Sequence, residues 1–525
     1  MNQNYASYLL SLISLSCFAG VNICTAANNQ IDRGTIHNTS ELPVFPGAQG
    51  FGTTTRAGRG GSICKVTNLD DSGPGSFRYC AELSEPRNIL FTTGGTIEVT
   101  KPIEIKHPFV SIYGQTAPGS GILLRSSIDS TGPPIRIMTH DVLLQHMRIR
   151  AGGSVHSTCC RDALSIANNT PGEVYNVVVD HNSFSWGTDE IVDIWYDSNN
   201  ITLSYNIVSE GLHNNHSNES GPAGRGVQIG SENSYAISLH HNFIAHAFQR
   251  NPLVMGGGVV DVSNNLIYHW ISRGGEQQTQ FNGQKVNWVK NNFVSRVKNP
   301  FLTLVRQKLN ALTGNKIGYL QDTTERLQES WVTWGDLLVT AGNFPTSMYL
   351  EDNIGYHRDS MGQPQWKIAF TDWNTPYDPS LEFHKAQRFE APYVSEIPAL
   401  DLAKELPDIV GALLPKRDQV DNRIIREFRE RRGKMPDCVA EDDLADTKKC
   451  ENNAGGWPLM ERGTPATDSD QDGIPDSWET AHELNPHLAD SHSDLDNDGY
   501  TALEEWIHSL SELEFYFSNQ VEDTH

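Results

Sequence analysis

The sequence predicts an all-β chain wound as a solenoid of parallel strands, followed by a small acidic module. Two observations carry the prediction: a strand-and-asparagine repeat across the middle of the chain, and a near absence of helical periodicity over the same stretch. Between about Val142 and Val294 a β-branched run leads into polar residues including Asn, then into apolar residues again. It reads V-V-V-D-H-N-S-F at Asn182, I-T-L-S-Y-N-I-V at Asn206, I-S-L-H-H-N-F-I at Asn242, V-D-V-S-N-N-L-I at Asn265 and V-N-W-V-K-N-N-F-V at Asn292. Spacings of about 24, 36, 23 and 27 residues suit coils that each add a similar rung while their loops vary in length. An Asn at one corner of every coil would stack as a hydrogen-bonded ladder and satisfy backbone groups at the turn.

The elements before and after this repeat follow in order. Residues 1–27 contain an apolar run from Tyr8 to Ile23 and small residues at Thr25 and Ala27, the pattern of a cleaved export signal without the usual early Lys or Arg. The protein is therefore expected outside the cytoplasm, extracellular or periplasmic. No later segment is apolar enough to span a bilayer, so no membrane partner is expected. Six cysteines remain after such cleavage, and Cys64 with Cys80 and Cys438 with Cys450 are the local disulfide candidates; the state of the adjacent Cys159 and Cys160 is left open. The Gly-rich stretch from P-G-A-Q-G-F-G to G-Q-T-A-P-G-S-G forms the first coils, its glycines serving turns. Residues from about Gln307 to Met435 finish the solenoid and wall its cleft, with one helix-like run, A-K-E-L-P-D-I-V-G-A-L-L. The main domain is thus assigned to 28–436.

The net charge of -24 is unevenly placed. From Asp437 onward there are 23 acids against three bases, so this region carries -20 and the rest of the chain about -4. Region 437–525 contains D-S-D-Q-D-G-I-P-D-S-W-E (468–479) and D-L-D-N-D-G-Y-T-A-L-E-E (494–505). Both place acids at positions one, three and five, Gly at six and Glu at twelve, the pattern of a calcium loop. Candidate ligands are Asp468, Asp470, Asp472, Asp476 and Glu479 in the first, and Asp494, Asp496, Asp498 and Glu505 in the second. A merely solvated acidic run would not keep Gly473 and Gly499 in register. The short segment between the loops resembles dockerin or thrombospondin-type repeats, and the expected role is structural.

A second set of acids lies inside the solenoid. Asp189 and Asp193 stand four apart in S-W-G-T-D-E-I-V-D-I-W, and Asp162 lies one coil earlier in C-C-R-D-A-L-S-I. Neighbouring rungs stack about 5 Å apart, so these carboxylates can converge. Unpaired, they would repel and hold their protons; a hard, oxygen-seeking cation removes that cost. The alternative is separate solvation, or pairing with Arg148 and Arg161.

The runs V-V-V-D-H-N-S-F-S-W-G-T-D-E-I-V-D-I, I-T-L-S-Y-N and H-H-N-F-I-A-H-A-F-Q-R-N-P, with P-G-A-Q-G-F-G and G-Q-T-A-P-G before them, resemble family-one polysaccharide lyases, the pectate lyases. The resemblance covers roughly Phe45 to Gly275. It implies a right-handed parallel β-helix that cleaves polygalacturonate by calcium-dependent β-elimination, with Asp162, Asp189 and Asp193 as calcium ligands and Arg250 as the catalytic arginine. Two positions depart from the pattern: Leu253 and Met255 stand where many members have substrate-binding arginines, and His213 where they have a lysine. His213 and Arg225 are then the candidates for substrate contact. A guanidinium is an awkward base because it is normally protonated, so an alkaline optimum is expected. A monomer is expected, acting on an acidic polysaccharide and not on nucleic acid. The competing readings are a lyase for another uronic-acid polysaccharide and a non-catalytic carbohydrate-binding β-helix. A glycoside hydrolase is disfavoured because the polygalacturonase signature, an Asp pair followed by G-H-G and R-x-K, is absent. No G-x-S-x-G elbow supports a serine hydrolase.

Overall fold

The computed structural model describes residues 42–154, 161–213, 223–231, 233–278, 281, 283–295, 336–340, 346–370, 384–440, 450 and 452–511. The expected export signal, 1–27, and Cys159 and Cys160 lie outside them. Each coil of the central region supplies one strand to each of three sheets. Val174–Asp180 leads to Ser183–Ser185 and then Glu190–Ile194; the next coil repeats this as Ser198–Ser204, Ile207–Ser209 and Arg225–Ile229. Strands pair in parallel with their counterparts one coil away, building sheets of ten, eight and nine strands. This is a right-handed parallel β-helix, the hand that twisted parallel strands impose on their crossovers.

Inside the coil, like stacks on like. Ile112, Leu144, Val179, Leu203, Leu239, Val262 and Trp288 occupy one register of the ten-stranded sheet and are all fully or almost fully buried. A strand buried on both faces reads as a continuous apolar run, which is why these segments lack clean alternation.

The corner between the first and second sheets explains the asparagines. The chain turns there through a single left-handed residue: His181, Tyr205, His241, Asn264 and Lys290 all have φ between 50° and 54°. A side chain in that region costs about 1–2 kcal/mol, and the residue that follows supplies the compensation. Asn182, Asn206, Asn242, Asn265, Asn291 and Asn353 form the ladder. Asn206, for example, donates its amide to Asn242 Oδ1 at 3.0 Å and to the Val179 carbonyl at 2.9 Å. The ladder residue of the fifth repeat is Asn291, not the expected Asn292, which donates instead to the Ala399 carbonyl at 2.8 Å. Replacing the fully buried Asn242 by Ala strands the Asn206 backbone N–H and the Leu203 carbonyl. Each stranded buried group costs about 1–3 kcal/mol, so the variant should lose on the order of 3 kcal/mol, read as a lowered unfolding midpoint at equal protein concentration.

Two of the three outer faces are covered. The helix Gln419–Arg429, capped by Asp418, lays Val420, Ile424 and Phe428 over Ile207, Phe243, Leu266 and Tyr268 of the eight-stranded sheet. Buried Arg150 fixes it through Asp418 at 2.6 Å and Asp421 at 3.1 Å. The expected helix-like run around 403–414 amounts only to Leu402–Glu405 and a short 3-10 turn, Leu406–Asp408, since Pro407 supplies no N–H and Gly411 takes φ 85°. The C-terminal loops cover the ten-stranded sheet at Leu90, Tyr113, Leu143 and Val178. Neither apolar cover includes a strand residue of the nine-stranded sheet. The disulfides Cys64–Cys80 and Cys438–Cys450 are formed as expected. Among the described residues no helix is long and apolar enough to cross a membrane.

Candidate active site

The nine-stranded sheet, over which neither apolar cover extends among the described residues, carries the acids and the arginines. Register sets Ser165 beside Asp193 and Asp193 beside Gln228, while Glu190 lies beside Arg225 one coil on. Asp162 precedes its strand and accepts the Glu190 backbone N–H at 3.2 Å. Rung stacking therefore brings Asp162, Glu190 and Asp193 together. Arg148 and Arg161 donate to main-chain carbonyls, of Ala412 and Leu414 for the first and of Ser127 and Ala151 for the second.

The proton affinities of the three acids record their crowding. Burial, then repulsion from Asp193 and Glu190, raises Asp162 well above the usual carboxylate range. Burial lifts Glu190 to about 7 against the pull of Arg250, and Asp193 to about 6 against hydrogen bonding from Gln228. These carboxylates are of the kind a hard divalent cation takes, but Asp162, Glu190 and Asp193 do not each bring an oxygen within 4.8 Å of the others. Asp189 is placed differently: its carboxylate turns to the Arg225 guanidinium. Asp162, Asp189 and Asp193 accordingly do not each bring an oxygen within 4.8 Å of the others.

Arg250 is held by three side-chain partners. Its backbone is left-handed, φ 62°, and its N–H donates to Glu276 Oε1 at 3.1 Å, while Glu276 also takes Arg273 at 2.6 Å. Its Nη1 donates to Glu190 Oε1 and to Gln228 Oε1. Gln228 Nε2 in turn donates to Asp193 Oδ1 at 3.1 Å, linking the arginine to the acid cluster. Gly226 allows this approach, since a Cβ there would lie 2.6 Å from the Arg250 carbonyl. Arg225 is lowered to about 10 by burial and by Arg250 beside it. His213 packs on Phe248 and faces the Ala223 carbonyl at 3.3 Å; burial lowers it to about 4, so it is neutral above that pH.

At the C-terminal loops, Asp468, Asp470 and Asp472 bring oxygens within 4.8 Å of one another, as do Asp494, Asp496 and Asp498. Asp472 also groups with Glu479 and with Asp490, which lies between the loops. Asp476 instead caps Ser469, accepting its N–H and its hydroxyl at 2.7 Å each. Glu505 keeps one buried oxygen without a hydrogen-bond partner.

No protein-family model matches the chain. A probable pectate lyase C of Aspergillus flavus is 32% identical over 477 residues, spanning 90% of this chain and 96% of that protein. Its counterpart in Aspergillus terreus is 31% identical over 482 residues, 91% and 96% of the two chains. The chain belongs to the pectate lyase family. Among solved structures the cedar pollen allergen jun a 1 aligns over 69% of this chain and 92% of its own, with 16% identity and a TM-score of 0.44. This lyase carries two residues that pattern reading passed over, Glu190 and Gln228, both of which touch its arginine. The signal for Glu190 was a carboxylate one residue from the expected ligand; for Gln228 it was register alone. Leu253 and Met255 of the lyase are buried, at 1% and 6% exposure, so neither offers a polar group to the cleft.

Proposed function

We propose that the protein is an exported, calcium-dependent lyase that cleaves polygalacturonate by β-elimination to unsaturated oligogalacturonides, with Arg250 as the base. The observation that carries this reading is the linked cluster of Asp162, Glu190, Asp193, Gln228 and Arg250 on the nine-stranded sheet. Asp162 and Asp193 are the proposed cation ligands of the cleft, with Glu190 between them and Asp189 available if it leaves Arg225. Calcium, if bound there, would supply positive charge that draws electron density from a uronate carboxylate.

The chain's own residues do the remaining work. Arg250 accepts the proton at C5 of the uronate. That C–H electron pair forms the C4–C5 double bond, and the C4 glycosidic oxygen departs with its bonding pair to become, once protonated, the new reducing end. Glu190 and Gln228 aim the guanidinium, and so restrict the geometries from which it can react. Arg225 offers a positive group beside Arg250 for a second uronate. His213, neutral in this range, would offer a hydrogen bond and no charge.

Products test the reading. Polygalacturonate incubated with the protein and calcium should give ultraviolet absorbance from the new double bond in step with new reducing ends. Reducing ends without absorbance would mean hydrolysis. Neither signal would point to another uronan or to binding without catalysis.

A further inference from the structure

The first C-terminal loop contains a group that its own motif does not explain. Glu479 is fully buried, and neither of its carboxylate oxygens has a hydrogen-bond partner. One of them lies within 4.8 Å of oxygens from Asp472 and Asp490. Asp490 Oδ1 is likewise buried and without a hydrogen-bond partner. An isolated buried carboxylate is expensive, and three converging ones more so, unless a cation lies among them. Asp472 holds the far segment in place, its Oδ2 accepting the backbone N–H of Asp490 at 3.0 Å and of Ser491 at 2.8 Å. Asp476, the ninth residue of the loop, has its carboxylate committed to Ser469.

The same loop is also the part of the module that grips the β-helix. Asp468 pairs with Lys65 at 2.5 Å, on the first strand of the ten-stranded sheet. Ile474 is fully buried in the cluster with Leu90, Tyr113, Leu143 and Val178. Gly473 rests against Leu90 so closely that a Cβ would lie 2.6 Å from its Cδ1.

We propose that Asp468, Asp470, Asp472, Glu479 and Asp490 form a calcium site separate from the cleft, and that this calcium locks the C-terminal module over the outer face of the ten-stranded sheet. Asp490 replaces Asp476 as the outer ligand. The ion therefore ties residues on both sides of the segment 480–489 to a loop already docked on the helix, and its binding energy appears as stability of the cover. The second loop, whose Asp494, Asp496 and Asp498 are exposed, is not needed for the lock.

Calcium itself is the probe, measured on the full-length protein by calorimetric titration, with thermal unfolding alongside. Glu479→Gln and Asp490→Asn should each bind one calcium fewer than the wild type and lose a calcium-dependent rise in unfolding midpoint. Asp476→Asn should keep both. Lyase activity at saturating calcium and low temperature should stay within about twofold in all three, because none reaches the cleft. Unchanged stoichiometry in Asp490→Asn, or loss of a site in Asp476→Asn, would overturn the assignment. If the two ligand variants do not accumulate, limited proteolysis of the wild type decides it. Chelator should make 461–511 the first segment cleaved; equal cleavage with and without calcium would refute the lock.

Discussion

Replacing Arg250 by Lys or Ala should lower kcat on polygalacturonate by about 10³-fold, the range expected for loss of a positioned proton acceptor. Lys keeps a positive charge but not the planar fork that meets Glu190 Oε1 and Gln228 Oε1 together. If Arg250 served only to hold the substrate carboxylate, Lys would retain much of kcat and the loss would fall on KM. Removal of the side chain also takes from Glu190 the nearer of its two guanidinium partners, leaving Arg225 at 3.7 Å. The Ala variant should therefore keep its fold yet show a further rise in the Glu190 proton affinity, observable by carboxyl-labelled NMR titration.

Asp193→Asn should have opposite effects on activity and on stability. One ligand fewer weakens cation capture, and activity at limiting calcium should fall on the order of 10²–10³-fold. Metal-free stability should rise, because the substitution removes one of three mutually repelling carboxylates. The sign follows from the shifts. Glu190 at about 7 and Asp193 at about 6 hold protons more tightly in the fold than in the unfolded chain. The metal-free wild type is thus favoured in acid and loses stability as pH rises from the ordinary carboxylate range through about 6 and about 7. Calcium, competing with those protons, should flatten that loss, and Asp193→Asn should show a shallower loss without calcium. Chemical denaturation at pH 5 and pH 8, with calcium and with chelator, reads all four cases.

The solenoid was legible because its two signals are local and repeated. A β-branched run followed by Asn marks the corners from Asn182 to Asn291, and each such Asn satisfies backbone groups around a left-handed residue. The one slip, Asn292 for Asn291, came where two asparagines adjoin and only the position after the left-handed Lys290 decides. The site was legible in part. Asp162, Asp193, Arg225 and Arg250 gather about the nine-stranded sheet, and Asp189 was expected with them from the family resemblance, which gave Glu190 no role. In the structure Arg225 pairs with Asp189, and Glu190 lies beside Arg225 near Asp162, a placement that register across coils supplies. Gln228 was invisible for the same reason: pairing across coils is not encoded in any short window. Asp490 lies outside a twelve-residue loop pattern, so only the folded chain brings it to Glu479.

Arg250, on this proposal, is competent only when a cation balances the acids around it. That dependence is tested most directly by the initial rate of double-bond formation on polygalacturonate, at one fixed alkaline pH, as free calcium is raised from a chelated baseline. No measurable rate is expected at the baseline, then a saturable rise with calcium that Asp193→Asn shifts to higher concentration. An undiminished rate in chelator, on the same substrate and at the same pH, would contradict it.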